Sequence, residues 1–281
     1  MMNFARVAIL GPGLLGASLA MACEGRAILW GRKNERVAEA QNLGLTATNE
    51  LAQAVSEADL VIMAVPVGVM SALAEKMLPH LKSGCLVTDV GSVKRCPHEK
   101  VGVFLQRSGV DFIGSHPMAG SEQKGLAAAR ADLFDGAACI LTNDGGVATE
   151  KIHALTVFWQ DIGCRVSVMG ADEHDEAVAR ISHFPHAMAV LTADVGLQNG
   201  EELAKLAGGG FRDTSRVASG DPAMWAEIMM ENRASLGGVL REAEKSLREF
   251  LVLLENSDEE GLHHYLEEVK KRRDKALLKR I

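Results

Sequence analysis

Cysteine is scarce and poorly arranged for cross-linking: the 281 residues hold five, Cys23, Cys85, Cys96, Cys139 and Cys164, an odd number with no close pair and no zinc-ligand spacing. That pattern excludes a disulfide scaffold and a structural zinc site, and it fits buried thiols in a reducing compartment. Long apolar runs are also missing. The uncharged stretch 7–23 could pass for a signal-peptide core, but it contains a glycine-rich motif and no small-residue cleavage pattern follows it. A buried strand and helix account for it better, and no other segment approaches the length of a membrane span. There is no excess of positive charge either. The formal net charge is −7, which argues against nucleic acid or an anionic membrane as a partner. One cationic cluster, Lys270, Lys271, Arg272 and Arg273 with Lys275, Lys279 and Arg280, suits the negative end of a final helix dipole. No internal repeat, low-complexity tract or flexible linker is present. What remains is a cytoplasmic globular protein, long enough for two units and a sizeable core.

Short apolar runs alternate with helical patterns at 7–10, 27–30, 60–65, 86–89, 112–114, 138–141 and 165–168. Such alternation builds a parallel sheet covered by helices. Between the runs, Asn34 is placed to cap a helix that Gly44 ends. After Met169 the strand signals stop. Residues 171–196 form one long helical pattern broken by Pro185, whose ring crowds the carbonyl of Ile181 and predicts a kink. Asp221-Pro222 reads as an N-cap followed by proline at the first helical position, and two long charged and apolar patterns, 233–255 and 258–280, finish the chain.

Gly11-Pro12-Gly13-Leu14-Leu15-Gly16 follows the first expected strand and opens the first expected helix. In that context the spacing is a dinucleotide-binding signature. The first glycine permits the tight turn, the second lets a pyrophosphate approach the backbone, and the third lets helix and strand pack closely. Leu14 and Leu15 begin the helix whose amides face the phosphates, and Val65 and Gly31, at the ends of neighbouring strands, complete the candidate cofactor contacts. The second strand ends Trp30-Gly31-Arg32-Lys33, without the carboxylate that would hold ribose hydroxyls. Arg32 and Lys33 could accommodate a 2′-phosphate, so NADP is expected over NAD. The alternative is that Arg32 merely covers the adenine.

Residues 114–122, Gly-Ser-His-Pro-Met-Ala-Gly-Ser-Glu, read as a stiff loop of small residues that presents His116. A nucleotide cofactor with one positioned base suggests oxidation of an alcohol. Alone, such a histidine could as well be a surface or satisfied core residue. Four further segments accompany it: Asp89-Val90-Gly91-Ser92-Val93-Lys94, Ser182-His183-Phe184-Pro185-His186, Gly208-Gly209-Gly210-Phe211-Arg212-Asp213, and Ser215-Arg216-Val217-Ala218 followed by Asp221-Pro222-Ala223-Met224-Trp225. In residues, order and spacing these segments resemble the prephenate and arogenate dehydrogenase family of tyrosine biosynthesis, from near residue 6 to about residue 235.

The resemblance implies oxidative decarboxylation: prephenate to 4-hydroxyphenylpyruvate, arogenate to tyrosine, or both, with hydride passing to NADP or NAD. The substrate ring is itself the electron sink, so no metal is required. The protein must supply a base, cationic anchors for carboxylates and a dry pocket. By matching position His116 is the catalytic base, and Ser92, just beyond the strand at 86–89, hydrogen-bonds near the same hydroxyl and the nicotinamide. Arg216 grips a substrate carboxylate with its planar fork. The alternatives are a helix cap for Ser92 and a solvated side chain for Arg216. His183 and His186 share a helix face beside Pro185, and one of them, His186 slightly favoured, contributes to the substrate pocket. Glu122 matches an acidic position that orders the pocket, or else forms a surface ion pair. Trp225 matches an aromatic residue reaching the site from a neighbouring subunit, or anchors the helical core; an interlocked homodimer would reconcile the two.

The fold implied is α/β: a Rossmann-type doubly wound, mostly parallel sheet over residues 1–169, then an all-α substrate and dimerisation domain over 170–281. The expected partners are a small-molecule substrate and a second copy of the chain. Two competing readings remain. A β-hydroxyacid or imine-reducing dehydrogenase would place a lysine or aspartate on the interdomain helix, where this chain has His183 and His186. A dinucleotide-sensing regulator would have no use for His116, Ser92 and Arg216 together.

Overall fold

The computed structural model describes residues 4–120, 125–198 and 200–277. Eight strands, β1 (Val7–Leu10), β2 (Ala27–Trp30), β3 (Ala47–Thr48), β4 (Leu60–Met63), β5 (Leu86–Asp89), β6 (Asp111–Pro117), β7 (Ala138–Thr142) and β8 (Arg165–Met169), form one sheet in the order β3-β2-β1-β4-β5-β6-β7-β8. Every neighbouring pair is parallel except β6 with β7. The chain runs outward from β1 to β3, then crosses back to β4 and continues the other way. This reversal opens a crevice beyond the carboxyl ends of β1 and β4, where sheets of this kind bind ligands.

Both faces of the sheet are covered, so the central strands β1 and β4 are apolar throughout rather than alternating with polar residues. Val7 and Ile9 of β1, Leu60 and Ile62 of β4 and Leu86 of β5 join one buried cluster. Their neighbours Ala8, Leu10, Val61, Met63 and Val87 join the other. The first cluster is completed by α1 (Leu14–Ala22). The helices α2 (Asn34–Asn42), α3 (Leu51–Val55), α4 (Val67–Met77), α5 (Arg95–Pro97) and α6 (Val103–Arg107) follow, with α4 the main cover of the second face. α7 (Thr149–Asp161) returns to the first face through Leu155, Phe158 and Trp159. Each fully buried leucine or isoleucine contributes about 1.5–3 kcal/mol.

The segment around His116 is not the loop that its small residues suggest. β6 continues to Pro117 because β7 pairs antiparallel with its second half, Gly114 opposite Thr142 and His116 opposite Ile140. Proline's missing donor is tolerated at the last position of the strand. Gly114 is needed here, since a Cβ would stand 2.7 Å from the Lys94 side chain that crosses it. Asn34 is likewise not a cap: α2 is capped at Lys33 without a side-chain hydrogen bond, and Asn34 Oδ1 accepts from Asn49 Nδ2 at 2.6 Å. Pairing with a sequence-distant residue has replaced the local bond.

Beyond β8 the described chain is helical: α8 (Ala171–Val178), α9 (Phe184–Leu197), α10 (Glu201–Ala204), α11 (Gly209–Ser215) and α12 (Pro222–Glu231). Between α8 and α9 the expected break takes the form of a wide π-type turn over Ala179–His183, which absorbs the donor lost at Pro185. Asp221 caps α12 as expected, accepting from the amides of Ala223 at 2.9 Å and Met224 at 3.0 Å. The chain divides into compact units Met1–Arg233 and Ala234–Ile281. The second is built from α13 (Arg233–Glu255) and α14 (Glu259–Leu277), whose Phe250 and Tyr265 rings meet edge to face at 5.8 Å. Among the described residues no helix is long and apolar enough to cross a membrane.

Trp159 is fully buried between the rings of Phe134 and Phe158, and its indole N–H donates to Ser115 Oγ at 3.1 Å, beside His116. Trp159→Ala is expected to lower stability by about 3–5 kcal/mol, the range for a large aromatic removed from a packed core. Urea unfolding of the two proteins side by side measures the loss.

Candidate active site

The glycine-rich loop lies in the crevice at the β1/β4 reversal. Gly11 has φ +126°, and a Cβ there would fall 2.2 Å from the Ala64 carbonyl oxygen and 3.0 Å from Val65. A Cβ on Gly16 would meet the Gly11 carbonyl oxygen at 2.0 Å. Gly13, in contrast, faces open space. It precedes Leu14 and Leu15 at the start of α1, where no side chain caps the free amides and no acid sits in the first turn. An uncapped helix N-terminus beside an open backbone fits a pyrophosphate, by hydrogen bonding and by dipole. Gly31 packs on Pro12 of the same loop, and Arg32 and Lys33 stand exposed where β2 leads into α2.

Further along the same strand edge, the turn after β5 is laced together from inside. Asp89 and Lys94 form a fully buried ion pair at 2.5 Å, and Lys94 Nζ also donates to the carbonyls of Gly91 at 2.9 Å and Val93 at 3.0 Å. All three ammonium hydrogens are thereby satisfied. Asp89 in turn accepts from the Gly91 amide at 2.8 Å and the Ser115 amide at 3.4 Å. A buried pair held at this many points fixes the loop between its members, and that loop carries half-buried Ser92.

His116 is buried in β6, and its Nδ1 lies 2.8 Å from His174 Nε2 on α8. His174 Nδ1 lies 2.8 Å from Asp175 Oδ1. The Asp175 carboxylate also accepts from the amides of Lys94 at 2.7 Å and Arg95 at 3.0 Å. Burial, reinforced by the charges of Lys94, His174 and His183, holds the His116 pKa well below that of an ordinary histidine. Burial lowers His174 as well. For Asp175 burial alone would raise the carboxyl, but the hydrogen bonds from His174 and the two amides outweigh it and the net shift is downward.

The backbone carbonyl of Asp175 continues the network, accepting from Asn232 Nδ2 at 2.7 Å; that amide also faces His183 Nδ1 at 3.2 Å. His183 is depressed to about 4, chiefly by burial. The backbone of Ser92 lies beside its ring. Trp225 of α12 meets His183 edge to face and stacks flat on His186, ring centroids 3.5 Å apart. His183 Nε2 and His186 Nδ1 are buried and make no hydrogen bond to the protein. The structure thus brings Ser92, His116, His183, His186 and Trp225 into one chain of contacts, with Trp225 supplied by the same subunit as the histidines. Arg216 stands exposed at the start of a 3-10 turn, Arg216–Ser219, whose following Gly220 packs directly on Trp225 and His186. Glu122 lies outside the described residues.

The residues given no role from sequence are His174, Asp175, Asn232 and the two ends of the 89–94 segment, Asp89 and Lys94. A signal for the first two was available. Ala171, His174, Asp175 and Val178 are the buried residues of α8, and their spacing is that of a core-facing helical stripe. A histidine and an aspartate on that stripe need partners within the core.

Comparison with known proteins agrees with this geometry. The family models "Prephenate dehydrogenase, nucleotide-binding domain" and "Prephenate dehydrogenase, dimerization domain" match residues 15–168 and 170–268. The cyclohexadienyl dehydrogenase of Zymomonas mobilis is 34% identical over 96% of this chain and 95% of its own length. The crystal structure of prephenate dehydrogenase from Aquifex aeolicus, in complex with hydroxyphenyl propionate and NAD+, superposes with a TM-score of 0.88 at 30% identity, covering 98% of this chain and 99% of that one. Arogenate dehydrogenase from Synechocystis gives a TM-score of 0.79 at 29% identity, over 97% and 100%. With a nucleotide cradle at the β1/β4 crevice and a buried histidine further along the same sheet edge, this chain belongs to the prephenate dehydrogenase family and is an oxidoreductase that uses a nicotinamide cofactor.

Proposed function

We propose that the enzyme oxidises and decarboxylates prephenate, arogenate or both, with NADP favoured over NAD, as a homodimer in the cytoplasm. The observation that carries this reading is His116: a buried, neutral imidazole with one nitrogen held by His174 and Nε2 left to act. Its depressed pKa keeps it an acceptor at neutral pH, as removal of a hydroxyl proton requires.

When bound, the cofactor supplies the hydride acceptor. The loop of Gly11, Gly13 and Gly16 and the first amides of α1, at Leu14 and Leu15, hold its pyrophosphate, while Val65 and Gly31 border the crevice. Arg32 and Lys33, with no acid between Trp30 and Lys33, favour a 2′-phosphate. Ser92 orients the reacting hydroxyl. His183 presents a donor: Asn232 donates to its Nδ1, so the neutral ring carries its hydrogen on the unpaired Nε2. A substrate oxygen suits that N–H. His186, held flat on Trp225, bounds the same region, and Arg216 engages a substrate carboxylate. The functional boundary of this reading is 169/170, supported by the end of the last strand at Met169 and by family matches that cover 15–168 and 170–268. Exposed Leu247, Leu251, Leu254, Leu266 and Val269 of the last two helices support dimerisation through them.

Initial rates with prephenate or arogenate, each with NADP or NAD, test the reading: turnover of at least one substrate is required, with higher kcat/KM for NADP. No turnover in any combination refutes the function, and a clear NAD preference refutes the cofactor assignment. His116→Asn is expected to lower kcat by about 10²–10⁴-fold, whereas Arg216→Ala chiefly raises KM. The acid limb of kcat/KM is expected to fall below pH 6.5. A histidine whose folded pKa is lowered stays unprotonated, and active, through the range where an ordinary imidazole gains its proton. An inflection at or above 6.5 contradicts a buried neutral base.

A further inference from the structure

The order of partners around His116 determines which of its nitrogens carries hydrogen. Asp175 receives hydrogen bonds from the Lys94 and Arg95 amides and faces His174 Nδ1 at 2.8 Å. A carboxylate supported in this way stays ionised and only accepts, so His174 Nδ1 must be N–H. Neutral His174 then has a bare lone pair at Nε2. Its neighbour at 2.8 Å, His116 Nδ1, must therefore donate. One hydrogen on Nδ1 of a neutral imidazole leaves Nε2 bare. A histidine without such an arrangement populates both tautomers, and the other one would offer the substrate hydroxyl an N–H that cannot take its proton.

We propose that His174 and Asp175 are positioning residues for the reaction: Asp175 orients His174, and His174 holds His116 in the Nδ1–H tautomer, so that Nε2 receives the substrate's hydroxyl proton. This rests on the reaction proposed above. The O–H proton passes to His116 Nε2 and the hydride to the nicotinamide. The electron pair of the bond to the departing carboxylate completes the aromatic ring as carbon dioxide leaves, and the phenolate oxygen so formed takes the proton back from His116 Nε2. His116 becomes imidazolium, keeps its hydrogen on Nδ1 and needs to pass no proton to His174. Asp175, one ring further away, offsets the new charge, as a carboxylate does behind a catalytic histidine. That compensation matters because the ionised group facing His116 is the Lys94 ammonium, which opposes a second positive charge, with the neutral rings of His174 and His183 beside it, whereas His174 faces Lys94 together with the carboxylates of Asp89 and Asp175.

Two readouts test the proposal on the full-length enzyme. With ¹⁵N-labelled histidine and neutral pH, long-range ¹H–¹⁵N correlations assigned through His116→Asn should show His116 as the Nδ1–H tautomer; the Nε2–H form overturns the proposal. This measurement needs no substrate, so it stands even if neither prephenate nor arogenate is turned over, a result that would refute the reaction instead. For kinetics, His174→Leu removes the acceptor and should lower kcat about 10²–10³-fold with KM changed less than about threefold. His174→Gln places a carboxamide oxygen within reach of His116 Nδ1 and should restore kcat to within about tenfold of the parent. Equal loss in both folded variants, as checked by thermal melting, would mean a merely structural role. Full activity of His174→Leu would equally overturn the proposal.

Discussion

The buried carboxylate of Asp175 is the constraint on which the site depends. An ion taken out of water costs several kcal/mol unless its partners are in place, and the partners of Asp175 come from elements far apart in the chain. The amides of Lys94 and Arg95 approach it from the turn after β5, and His174 from its own helix. Its backbone carbonyl adds Asn232 from the end of α12. None of these elements can shift without leaving a polar group unpaired. One side chain therefore ties the Ser92 loop, the His116 strand and the helix bearing His183 into a single arrangement.

The Asp89–Lys94 pair acts on the other side of that arrangement. It joins the end of β5 to the first residues of α5 and reaches the Ser115 amide in β6, so the loop with Ser92 and the strand with His116 share one rigid support. The cofactor cradle is placed by a different principle, the reversal of strand order at β1 and β4. Because the parallel strands run the same way, their carboxyl ends form one edge. A dinucleotide held at Gly13 can extend along that edge toward the residues after β5, and the sheet alone thus relates the two halves of the chemistry.

Several features could be read from the order of residues because their causes are local. Gly11 and Gly16 are dictated by backbone contacts closer than any Cβ allows, Asp221 caps α12 with its own following amides, and Pro185 interrupts its helix by geometry within one turn. Where a partner lay far away, local reasoning went astray. The small residues within 114–122 suggested a loop, yet β7, some twenty residues further on, drew 114–117 into the sheet. Asn34 had the chemistry of a cap but bonded to Asn49 instead.

Residue order alone specified a two-part α/β chain with a dinucleotide loop, since apolar periodicity and glycine spacing act over a few residues and survive without knowledge of contacts; the candidate base His116 came from the resemblance its segment carries. How that base is armed emerges from the folded chain alone. His174 and His116 are 58 residues apart, and Asp175 meets the Lys94 amide across 81. Hydrogen-bond direction depends on which atom faces which, and a linear pattern carries that information only once the chain has closed on itself.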